Sequence, residues 1–240
     1  VWLAMAAGLA VGVGIGAFNA AFVAVLGINH LIVTLGVLYM TRGVIEVVMS
    51  GQKLAGFTGF PEGFGTLGRF EMGGLYGLFA FALLLIIGME AFFRLSAGGR
   101  RLLFLGGSPQ AAASIGIDKR KVEFWCFVLS GFLAALAGIL MTARVGMANR
   151  YMGEGLEMQI FIACLIGGGS IAGGKGSYLG AFLGVVFISL MNNAFNLLSV
   201  PSEWQSVLVL VVSIDGIMVL RKSGRPWRDI LGLQSMRRVG

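Results

Sequence analysis

Apolar residues run through this chain in stretches long enough to cross a bilayer. A hydrocarbon core takes roughly 20 helical residues, and seven runs approach that length: about 2 to 28, 31 to 50, 74 to 93, 124 to 143, 158 to 172, 178 to 198 and 205 to 220. The first is long and the fifth is short. Charged residues are 12% of the 240, against roughly 25% in an average soluble domain, which excludes a soluble globular enzyme. A backbone in lipid has to satisfy its own hydrogen bonds, so such runs fold as helices. The expected fold class is all-α: a polytopic membrane protein with about seven transmembrane helices over residues 1–220 and a basic cytoplasmic tail over 221–240.

Glycine is abundant, 39 residues against four prolines, and small residues that let helices approach closely in lipid account for the excess. Cys126 and Cys164 lie inside apolar runs and read as small apolar side chains, not as a disulfide or metal pair. The chain starts at Val1 with neither an initiator methionine nor a charged leader segment, so it reads as a fragment without a signal peptide.

Orientation follows from the basic residues. Arg94, Arg100, Arg101, Lys119, Arg120 and Lys121 share one loop, and Arg221, Lys222, Arg225, Arg228, Arg237 and Arg238 share the tail. The positive-inside rule puts both in the cytoplasm, and the four spans between them, an even number, allow it. With Lys175 the cytoplasmic side then holds 13 of the 18 basic residues, while Lys53, Arg69, Arg144 and Arg150 face outwards. The net charge of +7 is thus a matter of topology, and no nucleic-acid partner is expected. Residues 51–73 are external on this map, Asn29 and His30 cytoplasmic and Val1 outside. A parent with a cytoplasmic N-terminus needs an odd number of additional spans.

Catalytic chemistry is not written in the chain. The single histidine, His30, sits at a predicted membrane edge and reads as a helix-end residue. No His, Cys or carboxylate cluster has metal-ligand spacing, so neither catalytic nor metal residues are expected. The stretch G-S-I-A-G-G-K-G over 169–176 nearly matches a phosphate-binding loop, but Gly176 occupies the position that needs Ser or Thr, and a membrane span precedes it instead of a strand. It reads as a glycine turn with Lys175 at the cytoplasmic surface. ATP hydrolysis, if required, belongs to another chain.

Ionisable residues in or near spans are functional candidates because an unpaired buried charge is costly. Arg42 and Glu46, four apart, are expected to form an intramembrane ion pair, and Glu90 is placed to pair with Arg94. Asp215 has no local partner, as a proton-coupled carrier would require, but it stands without a relay.

Two constellations carry more information. Gly8, Gly12 and Gly16 repeat at intervals of four, as do Gly176, Gly180 and Gly184, and both stripes suit close helix contact. With about 100° per residue, Ser189, Asn192, Asn193 and Asn196 fall on the face opposite the second stripe. They are candidates for a solute route, where uncharged hydrogen-bonding groups suit a neutral polyhydroxyl solute, or for hydrogen bonds between helices. In the basic loop, G-G-S-P-Q-A-A-A-S-I-G-I over 106–117 spells a short helix. Ser108 is its N-cap, Pro109 its first residue, Ala111, Ala112 and Ala113 its body and Gly116 its stop. Two turns are marginal alone, so headgroups or a protein should pack on it.

These residues resemble the permease subunits of monosaccharide ATP-binding-cassette importers of the ribose, xylose and autoinducer-2 type. The resemblance covers nearly the whole chain. It rests on I-V-T-L-G (32–36) with Arg42 and Gly43, on the cytoplasmic G-G-S-P-Q-A-A-A-S-I-G-I, on L-S-G-F-L-A-A-L-A-G-I-L-M-T-A-R (129–144), on I-G-G-G-S-I-A-G-G-K-G-S-Y-L-G (166–180), on N-N-A-F-N-L-L-S-V (192–200) and on E-W-Q at 203–205. It implies about ten spans in the whole subunit, three of them ahead of Val1, in a multi-pass protein of the bacterial inner membrane working as a homodimer or heterodimer. The sugar comes from an extracytoplasmic sugar-binding protein, and ATP and magnesium are bound by a partner ATP-binding-cassette subunit, with no cofactor in this chain. Ser108, Pro109, Gln110, Ala111, Ala112, Ala113, Ser114, Ile115 and Gly116 match the family's ATPase-coupling helix, and Ala112 is where bulk and charge are expected to block seating. Rival readings are a secondary carrier or facilitator without an ATPase, a structural membrane subunit, and a branched-chain amino-acid or nucleoside permease of the same superfamily.

Overall fold

The apolar runs that fall within the described residues fold as helices. A computed structural model of the chain describes residues 2–50, 60, 64, 65, 68, 71, 72, 75–170 and 173–201. In it α1 spans Trp2–Ala20 and continues into a π turn, Ala21–Val25; α2 is His30–Ser50, α3 Gly77–Leu95, α4 Ala97–Gly107, α5 Pro109–Ser114, α6 Lys119–Val145, α7 Leu156–Ile166 and α8 Tyr178–Leu197. Ahead of α3, β1 (Glu71–Met72) and β2 (Leu75–Tyr76) form a small antiparallel pair. Among the described residues five segments are long and apolar enough to cross a membrane: Trp2–Val25, His30–Met49, Gly77–Leu95, Lys119–Val145 and Tyr178–Leu197. Their large apolar side chains face outwards; Val47 is 74% exposed, Leu84 71% and Leu190 63%. Such a surface is stable against lipid and not against water. The chain is an all-α polytopic membrane protein. The run at 205–220 with Asp215, the tail at 221–240, Lys53, Arg69 and the E-W-Q motif lie outside the described residues.

The fifth run differs from its expected span of 158 to 172. The helix is 11 residues long, Leu156–Ile166, about 16 Å at roughly 1.5 Å per residue. Three successive glycines end it. Gly168 adopts φ +86°, the Gly168 amide bonds the Leu165 carbonyl at 3.0 Å, and the Gly169 amide bonds that of Cys164 at 2.8 Å. This is the double hydrogen bond with which a left-handed glycine closes a helix.

The chain divides into two compact units, residues 1–83 with 116–154, and residues 84–115 with 155–240. In the first, α1 packs antiparallel on α6: Gly8 faces Ile139, Gly12 faces Ala135 and Gly131, and Gly16 faces Phe127 and Val128. A Cβ on Gly12 would stand 2.7 Å from the Gly131 carbonyl oxygen, and one on Gly16 2.5 Å from that of Phe127. The helices touch backbone to backbone, which substitutes dispersion for the hydrophobic effect that lipid does not supply. At the far ends of α2 and α6, Glu46, which the spacing proposes as a partner for Arg42, takes a partner from far along the chain. Glu46 Oε1 accepts from Arg150 Nη1 at 2.7 Å, because the turn after α6 brings Arg150 to the last residues of α2. Both side chains are well exposed, so the contact fixes geometry more than it stabilises.

In the second unit α7 and α8 form an antiparallel helical hairpin. Gly184 lies on the backbone of Ala163 and Gly180 on that of Gly167. Gly176 does not share this contact. It precedes the N-cap Ser177, whose side chain accepts from the Gly180 amide at 2.9 Å, so the stripe on α8 has two members where the spacing predicts three.

Candidate functional site

The polar residues of α8 are built onto the face that α7 leaves uncovered. Gly184 and Ile188 are buried, whereas Ser189, Asn193 and Asn196 are exposed and Asn192 is half-buried. Asn192 and Asn193 make no side-chain hydrogen bond among the described residues. Amides in that state are free to exchange partners with a polar solute, and they are costly to leave facing hydrocarbon. In the first unit, Asn19 Oδ1 on α1 is buried without a partner among the described residues, two residues before the π turn. Sequence reading passes over it, since a single Asn in a glycine-rich apolar helix has no periodic companion.

The short helix α5 is capped as the sequence specifies. The Ser108 hydroxyl accepts from the Ala111 amide at 3.4 Å, Pro109 takes the first position, and Gly116 adopts φ +77°. Its faces differ from expectation at one residue. Ala112 is fully buried within the subunit, while Pro109, Gln110, Ala111, Ala113, Ser114 and Gly116 are exposed and Ile115 is 64% exposed. Ala112 therefore anchors the helix, and a partner would meet Ala111, Ala113 and Ile115.

Glu90 links the elements around this loop. Near the end of α3 its Oε1 accepts from Arg94 Nε at 2.6 Å, and its Oε2 accepts from the Tyr178 amide at 2.7 Å and the Leu179 amide at 3.4 Å. The i, i+4 spacing announces the first contact and gives no signal of the others. The described residues of the phosphate-loop lookalike lie in the connection between α7 and α8. The Ser170 amide bonds the Lys175 carbonyl at 3.0 Å, the Gly173 amide bonds that of Ser170 at 3.0 Å, and Lys175 is exposed. Among the described residues no three His, Cys, Asp or Glu side chains gather at one point, and Cys126 and Cys164 are free thiols. Asn29 caps α2, its Oδ1 accepting from the Leu31 amide at 2.9 Å, with His30 as the first helical residue.

The family described as branched-chain amino acid transport system / permease component matches residues 1–214, a range that includes α1 to α8. The chain belongs to this permease family. The permease is similar to Ribose import permease protein RbsC of Escherichia coli (strain K12), 34% identical over 223 residues that make up 92% of this chain and 69% of that protein. It is similar also to Autoinducer 2 import system permease protein LsrC of Salmonella choleraesuis (strain SC-B67), 33% identical over 217 residues, 90% of this chain and 61% of that protein. No solved structure matches it. With family and spanning helices together, the permease is a multi-pass transport subunit of the inner membrane.

Proposed function

We propose that the permease is the membrane subunit of an ATP-driven importer and takes up a monosaccharide delivered by an extracytoplasmic binding protein. The observation that carries this reading is the similarity to a ribose permease over 92% of the chain. ATP and magnesium belong to a cassette subunit that docks on α5, and a second permease subunit, identical or related, completes the pathway. The amides and hydroxyl of Ser189, Asn192, Asn193 and Asn196 suit the hydroxyls of a neutral sugar. The contacts within each unit agree with the orientation drawn from the charges. Antiparallel α1 and α6 cross in opposite directions, Glu46 and Arg150 meet at one predicted external edge, and Glu90 meets the start of α8 at one predicted cytoplasmic edge.

Reconstitution of the full-length permease with its ATPase and binding protein tests this. Uptake of labelled ribose or xylose is expected to require ATP on the ATPase side and the binding protein on the other. Uptake driven by an ion or proton gradient without nucleotide would instead establish a carrier, and selective uptake of leucine would move the permease to the amino-acid branch. In the same system Asn193→Leu is expected to lower sugar uptake about tenfold, the order of one or two lost hydrogen bonds, with normal assembly. If Asn193→Leu fails to assemble, the residue holds helices together and does not touch the solute.

A further inference from the structure

Glu90 is the one charged residue buried among the described residues, and it sits where three elements meet. Tyr178 and Leu179, whose amides it receives, are the first two residues of α8, and no carbonyl of that helix can reach those amides. The Tyr178 ring lies 4.9 Å from that of Phe93, the neighbour of Arg94 on α3. The turn that leads into α8 is also pressed against the end of α4. A Cβ on Gly106 would stand 2.6 Å from the Gly174 amide nitrogen, and one on Gly174 would stand 2.5 Å from the Gly107 Cα. Gly173 and Gly174 hold φ of +86° and +73°, which side-chain-bearing residues rarely adopt. Ser108, the cap of α5, follows Gly107 directly.

We propose that Glu90 is a positioning residue of the transport cycle: it clamps the base of α8 to α3, so that a displacement of α5 carried through the Gly106–Gly174 backbone contact moves α8 as one rod and reorients its polar face. The inference rests on the importer reading. A contact made of backbone atoms has no side-chain rotamers to absorb a push, and a close-packed joint passes displacement on. A helix whose first amides lose their acceptors frays there instead, and the displacement is then absorbed before it reaches Asn192 and Asn193.

The complete transporter in proteoliposomes, with sugar uptake and ATP hydrolysis measured in the same vesicles, tests this. Glu90→Leu is expected to reduce sugar moved per ATP hydrolysed about tenfold while the ATPase subunit still co-purifies, in keeping with the loss of charge-assisted hydrogen bonds. Hydrogen exchange at the Tyr178 and Leu179 amides of the purified permease should accelerate by about the same factor. Glu90→Gln keeps a carbonyl oxygen for the Tyr178 amide and should stay within about threefold of the wild type. The double variant Glu90→Arg, Arg94→Glu restores an ion pair without an acceptor for α8 and should remain uncoupled. An unchanged ratio in Glu90→Leu, recovery in the double variant, or equal failure of assembly in Glu90→Leu and Glu90→Gln would each overturn the inference. A wild-type complex that moves sugar without ATP would overturn the importer reading itself, a result that can be told apart because the wild type alone reports it.

Discussion

Gly12→Ala is expected to lower the unfolding midpoint of the permease sharply, while Gly14→Ala, two residues away on the same helix, leaves it unchanged or slightly raised. At Gly12 the new methyl would overlap the Ala135 side chain and approach the Gly131 carbonyl oxygen at 2.7 Å; at Gly14 nothing lies within 4 Å. Neither neighbour of Gly12 can rotate away, since one is a methyl fixed to the α6 backbone and the other is backbone itself. The helices must separate, and overpacking of this kind costs about 1–3 kcal/mol, towards the upper end where backbone has to move. The same substitution at Gly14 meets only lipid-facing space and gains up to about 1 kcal/mol of helix propensity. Gly184→Leu should be more severe, because its Cβ would stand 2.8 Å from the carbonyl carbon of Ala163 and 3.2 Å from its Cα, and three further carbons follow a Cβ that already overlaps backbone. Monodisperse protein remaining after heating in detergent, followed by size-exclusion chromatography, reads all three. Equal behaviour of Gly12→Ala and Gly14→Ala would remove the close α1–α6 contact.

The features that were legible in the sequence are those whose causes lie within one helix. Bilayer thickness limits run length, so α1, α2, α3, α6 and α8 follow from apolar residues alone. The short helix α5 could be read almost residue by residue, because a cap and a stop act within four positions: Ser108, Pro109 and Gly116 behave as their chemistry dictates. The misreadings have equally local origins. Gly167, Gly168 and Gly169 extend the apolar run on a hydropathy scale, yet the left-handed conformation open to Gly168 closes α7 just before it. Gly176 has the period of a stripe, but periodicity does not say where a helix begins, and Ser177 does. What could not be read is contact across the chain. The amide that Glu90 receives lies 88 residues away and the arginine that Glu46 receives lies 104 away. The spacing that proposes Arg42 for Glu46 carries no trace of Arg150, which the turn after α6 brings in. The burial of Ala112 is of the same kind: three successive alanines look alike in sequence, and only the fold distinguishes the one that faces inwards.

That distinction changes where the coupling role of α5 should be tested. Ile115→Arg and Ala111→Arg are expected to abolish sugar-stimulated ATP hydrolysis, by tenfold or more, while the permease still inserts and purifies normally. Ile115 is an apolar side chain, 64% exposed, at the end of a six-residue helix in a basic loop, which is the composition of an anchor for a partner's groove. Such anchors dominate binding energy, with losses of about 2 kcal/mol or more on truncation, and an arginine there adds the cost of burying a charge without a counter-ion. Ala111 is exposed as well and brings little side-chain entropy to an interface. Ala112→Arg behaves differently on this view. It forces a guanidinium into a fully buried position, so the expected result is loss of the permease from the membrane, with nothing left in which to measure coupling. Co-purification of the ATPase subunit and stimulated hydrolysis, each normalised to permease recovered, separate the two outcomes. Normal association and stimulation in both Ile115→Arg and Ala111→Arg would take the coupling role away from α5 and leave it as a helix lying on lipid headgroups.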